Sequence, residues 1–167
     1  YKGFLYVGIM IVDNNPYVIE FNVRMGDPET QVVIPLLKSS LYRLLNDSLE
    51  GNIIKTDIDI SRQTAVTIVL ASEGYPGKYP KGMTIDGIND ENRENIFHAG
   101  TSLKNENIVS SGGRVLNVIG FGDNLEKAIK HAYDLANQIN FKNKFFRSDI
   151  GRKGLSYKWG KYLWLLI

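Results

Sequence analysis

The sequence predicts an α+β fold in two successive parts, a β-hairpin followed by helices and then a small, mostly antiparallel α/β unit. Three observations carry this reading. Residues 4–12 and 17–24 are apolar, β-prone runs flanking Asp13, Asn14, Asn15 and Pro16, a cluster of turn formers. Ala65-Val66-Thr67-Ile68-Val69-Leu70-Ala71 opens a second set of β-like runs, separated by loops rich in Gly and Pro. Ala128, Ile129, Ala132, Leu135, Ala136 and Ile139 recur at the spacing that lines one face of a helix. Boundaries are expected at residues 1–55, 56–155 and 156–167, the last a short atypical tail.

After the hairpin comes a helix start signal. Gly26 permits a turn, Asp27 can serve as N-cap, Pro28 suits the first helical position, and Glu29 favours the positive end of the helix. Val32, Val33, Leu36 and Leu37 form an apolar stripe that Pro35 should interrupt. A second helix is expected over residues 39–49, closed near Gly51. Residues 51–61 read as a connector or edge segment leading into the second unit. Later strands are expected at 96–99, 107–110 and 114–120, the last two joined by Ser111-Gly112-Gly113 as a hairpin turn. Asp123 should cap the long helix, with Glu126 three residues on completing a capping box. His98 sits in an apolar run and reads as a buried, hydrogen-bonded histidine, while His131 reads as surface.

Composition narrows the chemistry. The chain of 167 residues is 43% hydrophobic and 23% charged, ordinary for a globular protein and too apolar for a disordered one. A formal net charge of +2 without a long run of one sign argues against a dedicated nucleic-acid binder. The absence of cysteine excludes disulfides, thiolate zinc sites and cysteine nucleophiles. With two histidines, any metal would be a hard, oxygen-liganded cation such as magnesium. The apolar run at 162–167 is far too short to span a bilayer. The opening on Tyr1, directly in a strand-like run, suggests a fragment that begins inside a larger fold.

The most informative stretch is VIEFNVRMGDPETQ. On a strand, Glu20, Asn22 and Arg24 project to one face about 7 Å apart, while Ile19, Phe21 and Val23 form the other and are expected to pack behind. A carboxylate and an amide oxygen suit magnesium, which keeps waters and substrate phosphates in its remaining positions. An arginine beside them can clamp a phosphate or meet the charge that develops in phosphoryl transfer. The same row also reads as a solvated face carrying a surface Glu–Arg pair. Asp27 is either a cap alone or a cap that also receives a substrate amine or hydroxyl. Arg114, after its two glycines, is either an exposed hairpin-turn residue or a phosphate ligand. The loop EGYPGKYPKG lacks the spacing of a phosphate-binding P-loop and reads as a shaped connecting loop.

The segments EFNVRMGDPETQVVIPLL, LASEGYPGKYPKG, IFHAGT, SSGGRVLNVIGFGDNLEKAIKHAY and FFRSDIGRKGL, in this order over residues 1–155, resemble the phosphoribosylamine–glycine ligase (glycinamide ribonucleotide synthetase) family of the ATP-grasp superfamily. The resemblance implies that residues 1–55 end an ATP-grasp domain and that residues 56–155 form the ligase's C-terminal domain. It implies a cytoplasmic ligase of de novo purine synthesis. Such an enzyme joins glycine to 5-phosphoribosylamine through a glycyl phosphate, cleaving ATP to ADP and phosphate. Magnesium or manganese would be held by Glu20 and Asn22. Arg24 would meet the transferring phosphoryl group, Gly26 and Asp27 would line the small-substrate pocket, and Arg114 would take the ribose phosphate. No membrane or nucleic-acid partner is implied. Partners would instead include the upstream N-terminal and ATP-grasp portions of a longer parent chain, without which these residues are expected to be inactive. Two other readings stand beside it: a different ATP-grasp ligase or carboxylase, and a non-catalytic module that keeps the fold. The tail after about Leu155, with Tyr157, Trp159, Tyr162 and Trp164, departs from the family's ending.

Overall fold

The computed structural model describes residues 1–13 and 15–156, and the aromatic tail from 157 onward lies outside the described residues. The chain divides into two compact units, Tyr1–Ser61 and a second beginning at Arg62.

In the first unit, β1 (Tyr6–Val12) and β2 (Asn15–Asn22) pair antiparallel, with Val12 opposite Asn15 across the turn. Two helices follow, α1 (Thr30–Leu36) and α2 (Leu41–Glu50). Pro35 lies in the last turn of α1, and the chain leaves the helix at Leu37 in an extended conformation. Ser40 caps α2 by accepting from Arg43 N, and Gly51, with φ of 79°, closes it in the left-handed conformation that glycine adopts without strain. Residues 56–61, assigned to the second unit by sequence, are hydrogen-bonded into the first. Lys38 N and Ser39 N both donate to Asp59 O, Ser61 N donates to Leu36 O, and Leu37 bridges Ile60.

The second unit is built on a four-stranded antiparallel sheet. It comprises β3 (Thr64–Ser72), β4 (Ile96–His98), β7 (Arg114–Gly122) and β8 (Lys144–Phe145) in the order β4-β7-β3-β8. Helix α3 (Leu125–Gln138) packs on one face of this sheet, and a short α4 (Arg152–Ser156) ends the described chain. Val66, Ile68 and Leu70 of β3 and Leu116 and Val118 of β7 meet Ala128, Ala132 and Ala136 of α3 in the buried core. The helix lies close because the strand is bare beneath it. A Cβ on Gly120 would stand 2.2 Å from Ala132 N and 2.3 Å from Ala128 O. Lys144 closes the far end of α3, its ammonium donating to Ala136 O at 2.9 Å and to Ile139 O. Burial holds that ammonium below the usual lysine range.

Three local expectations are corrected here. Residues 107–110 do form a strand, β6 (Asn107–Ser110), but its partner is β5 (Thr101–Lys104). Asn105 and Glu106, both at positive φ, make the tight turn between them. Ser111-Gly112-Gly113 is therefore no hairpin turn. It leads from the β5–β6 ribbon into the main sheet, with Ser111 N and Gly112 N donating to Gly100 O and Ser72 N donating to Gly113 O. The cap of α3 is Asn124, which accepts from Lys127 N at 2.9 Å, while Asp123 pairs with the Lys127 ammonium at 2.7 Å. His98 is exposed, its Nδ1 sharing a hydrogen bond with Thr101 Oγ1, because β4 is an edge strand.

Candidate functional site

Glu20 and Asn22 lie on one face of the hairpin, and what stands opposite them depends on a bulge. Gly8 stands opposite Glu20 and Tyr6 opposite Asn22, with the register shifting between Gly8 and Ile9. Opposed residues of an antiparallel pair share a face, so Tyr6 and the bare Gly8 lie with Glu20 and Asn22. A Cβ on Gly8 would come 3.1 Å from Glu20 Cγ, so the glycine leaves the carboxylate room across β1.

Asn22 Nδ2 donates to Glu20 Oε1 at 3.0 Å. A half-turn of that amide about its terminal torsion presents Asn22 Oδ1 beside the exposed carboxylate. The result is two neighbouring hard oxygen ligands. Magnesium, which retains waters and takes up substrate phosphates, asks for one or two carboxylates and no protein cage. A carboxylate and an amide oxygen side by side are of the kind that this cation takes alongside phosphates.

Arg24 departs from the strand row. β2 ends at Asn22 and the chain bends at Val23 and Arg24. The exposed guanidinium donates from Nη1 to Met25 O at 3.0 Å, and its charge still acts on the Tyr6 hydroxyl of the same face. The apolar residues expected to pack behind the row do not do so within these residues. Ile19, Phe21 and Val23 are 62%, 64% and 70% exposed, because a two-stranded ribbon has no layer of its own to cover them.

The segment after the row is a tight turn. Gly26 is buried, and its carbonyl accepts from Thr30 N at 3.1 Å and from Thr30 Oγ1. A Cβ at Gly26 would stand 2.2 Å from Glu29 Oε2 and 3.1 Å from Glu29 Cβ, so the glutamate folds back over the bare α-carbon. Asp27 is not the N-cap. The cap position of α1 is Glu29, with no side-chain cap bond, since a turn through residues 27–29 precedes the helix. Asp27 is exposed, and its Oδ1 accepts from Gln31 Nε2 at 3.0 Å.

Two residues not singled out for the site by the sequence lie beside this face and turn, Tyr6 opposite Asn22 and Glu29 in the turn. The Tyr6 hydroxyl lies 3.4 Å from Glu29 Oε1. Burial first, then the charge and hydrogen bond of Glu29, push that hydroxyl above the usual tyrosine range. Arg114 belongs to the second unit. It is half-buried at the first position of β7, opposite Ala71, and its carbonyl accepts from Gly100 N at 2.9 Å.

Comparison with known proteins agrees with this division. Residues 65–153 match the family described as "Phosphoribosylglycinamide synthetase, C domain", and residues 1–30 match "Phosphoribosylglycinamide synthetase, ATP-grasp (A) domain". The phosphoribosylamine–glycine ligase of Caldanaerobacter subterraneus is 41% identical over 150 residues, covering 90% of this chain and 36% of that protein. That of Chlorobaculum tepidum is 44% identical, covering 93% and 37%. The human trifunctional purine biosynthetic protein adenosine-3 is 42% identical, covering 94% of this chain and 16% of that protein. The crystal structure of phosphoribosylamine–glycine ligase from Thermotoga maritima superposes with a TM-score of 0.78 at 38% identity, over 90% of this chain and 37% of that one. The chain thus spans 36–37% of the single-function ligases it resembles. It belongs to the phosphoribosylglycinamide synthetase family, joining the end of that family's ATP-grasp domain to its C domain.

Proposed function

We propose that these residues are the C-terminal part of an ATP-dependent ligase that joins glycine to 5-phosphoribosylamine in purine biosynthesis. The observation that carries the reading is the Glu20–Asn22 pair, followed directly by the Gly26–Glu29 turn, in a chain whose later residues match the C domain of the same family. A glycine carboxylate oxygen attacks the terminal phosphorus of ATP and ADP leaves, giving glycyl phosphate. The amine of phosphoribosylamine then attacks the glycyl carbonyl carbon, phosphate leaves, and the amine gives up a proton.

The first step brings two anions together, and the residues here answer that problem. Glu20 and Asn22 would hold magnesium or manganese, which when bound supplies positive charge to the triphosphate. Arg24, just past the end of β2, would meet the charge spread over the transferring phosphoryl oxygens. Gly26 and Asp27 would line the glycine pocket, the carboxylate of Asp27 holding the substrate ammonium. Arg114 would bind the ribose phosphate through its fork of N–H donors. No side-chain nucleophile is needed, in keeping with a chain without cysteine.

The partners of this reading include the upstream residues that the relatives have. The exposed apolar face of β1 and β2 would be covered by the rest of an ATP-grasp domain, and the adenine of ATP would be held there. Among the described residues no helix is long and apolar enough to cross a membrane, and the pathway would place the enzyme in the cytoplasm. The acyl phosphate is the specific test. A protein carrying these residues behind the upstream two thirds is incubated with ATP, magnesium, glycine and hydroxylamine. Formation of glycine hydroxamate in step with ADP is the expected outcome. ADP without hydroxamate would exclude glycyl phosphate.

A further inference from the structure

The face that holds Glu20 and Asn22 also carries a side chain for which the chemistry above has no use. Tyr6 stands opposite Asn22, and its hydroxyl reaches 3.4 Å toward Glu29 Oε1. Glu29 lies over the bare α-carbon of Gly26, and its carbonyl accepts from Val32 N and Val33 N, which starts α1. Thr30 ties itself to Gly26 O. The turn over residues 26–30 is thus closed on itself, and the Tyr6–Glu29 contact links it to the strand beside the candidate metal ligands.

We propose that Tyr6 is a positioning residue: its hydroxyl donates to the Glu29 carboxylate and so holds the Gly26–Asp27 turn, one wall of the glycine pocket, at a set distance from Glu20 and Asn22. The inference rests on the ligase reading. At 3.4 Å the contact is longer than a settled O–H···O bond. Site hydrogen bonds often stand long without substrate and tighten once it is bound. The pair therefore contributes little to the resting fold and its full amount when the turn closes on glycine. Because Gly26 and Asp27 face glycine whereas Glu20 and Asn22 face the nucleotide's cation, losing the tyrosine hydroxyl weakens glycine selectively.

The test uses the protein that includes the upstream two thirds. Tyr6→Phe, which removes only the hydroxyl, is expected to raise KM for glycine roughly tenfold, the amount a hydrogen bond to a charged group contributes. KM for ATP and the melting temperature stay near those of the unaltered protein. Glu29→Ala gives a similar rise, the double variant rises no further than either alone, and Glu29→Gln, which keeps an acceptor oxygen, retains most of the glycine affinity. An unchanged KM for glycine in Tyr6→Phe, an equal rise in KM for ATP, or losses that add in the double variant each overturn the positioning role. A melting temperature that falls while KM for glycine holds leaves Tyr6 a structural residue. If the unaltered protein shows no glycine-dependent turnover, the ligase reading fails and this role with it. If it is active and Tyr6→Phe is indifferent, the role alone fails.

Discussion

Glu20 shows how a side chain's surroundings separate chemistry from stability. It is exposed, and its protein partner in the hydrogen-bond pattern is the Asn22 amide at 3.0 Å. Removing it opens no cavity and strands no buried partner. If Glu20 holds the cation, Glu20→Ala is expected to lower kcat by about 10- to 100-fold, the scale of losses around metal sites, while the unfolding midpoint in urea moves little. A fall in stability with turnover intact would mark Glu20 as structural. That Glu20 and Asn22 share a face of β2 was legible from their two-residue spacing, whereas Arg24 lies past the end of the strand. Tyr6 was not legible, because of the bulge. Counting back from the Val12–Asn15 pair without it sets Asn22 against Leu5, and only the register shift between Gly8 and Ile9 brings Tyr6 opposite Asn22. A slip of one residue exchanges the faces of a strand, and nothing in the local composition announces it. The same limit applied to Asp27 and Asp123. Each is a sound cap by type, yet the turn before α1 and the neighbouring Asn124 took the cap positions.

Among the elements, the contact between β7 and α3 holds the second unit together. Alanines at 128, 132 and 136 and glycine at 120 let helix and strand approach until backbone meets backbone. Gly120→Ala would push its new methyl into Ala132 N and Ala128 O, atoms that cannot turn aside. A cost of about 2–3 kcal/mol is expected, measurable as a lowered midpoint of chemical unfolding with the slope unchanged. A variant as stable as the unaltered protein would mean that the helix does not sit so close. The helix was legible because its apolar stripe repeats over many residues. The pairing of β6 was not, since Asn105-Glu106 lacks the glycine that usually marks a two-residue hairpin turn, whereas Ser111-Gly112-Gly113 has the composition of a turn and serves as a crossover.

For the whole molecule, the two units meet the requirements of folding differently. The second owns a continuous buried core from Val66 to Phe141. The first presents a hairpin on which Ile9, Ile11, Val18, Ile19 and Phe21 are each more than half exposed. An apolar ribbon of this kind fits a sheet continued by other residues, and these 167 residues span 36–37% of the single-function ligases they match. The purified 167-residue chain is accordingly expected to release no ADP from ATP by itself. The most direct measurement is ADP release by the protein that adds the upstream two thirds, with ATP and magnesium present and glycine or phosphoribosylamine withheld in turn. Full turnover that requires both small substrates is the expected result. Turnover indifferent to glycine, or none with all substrates present, would contradict the ligase assignment.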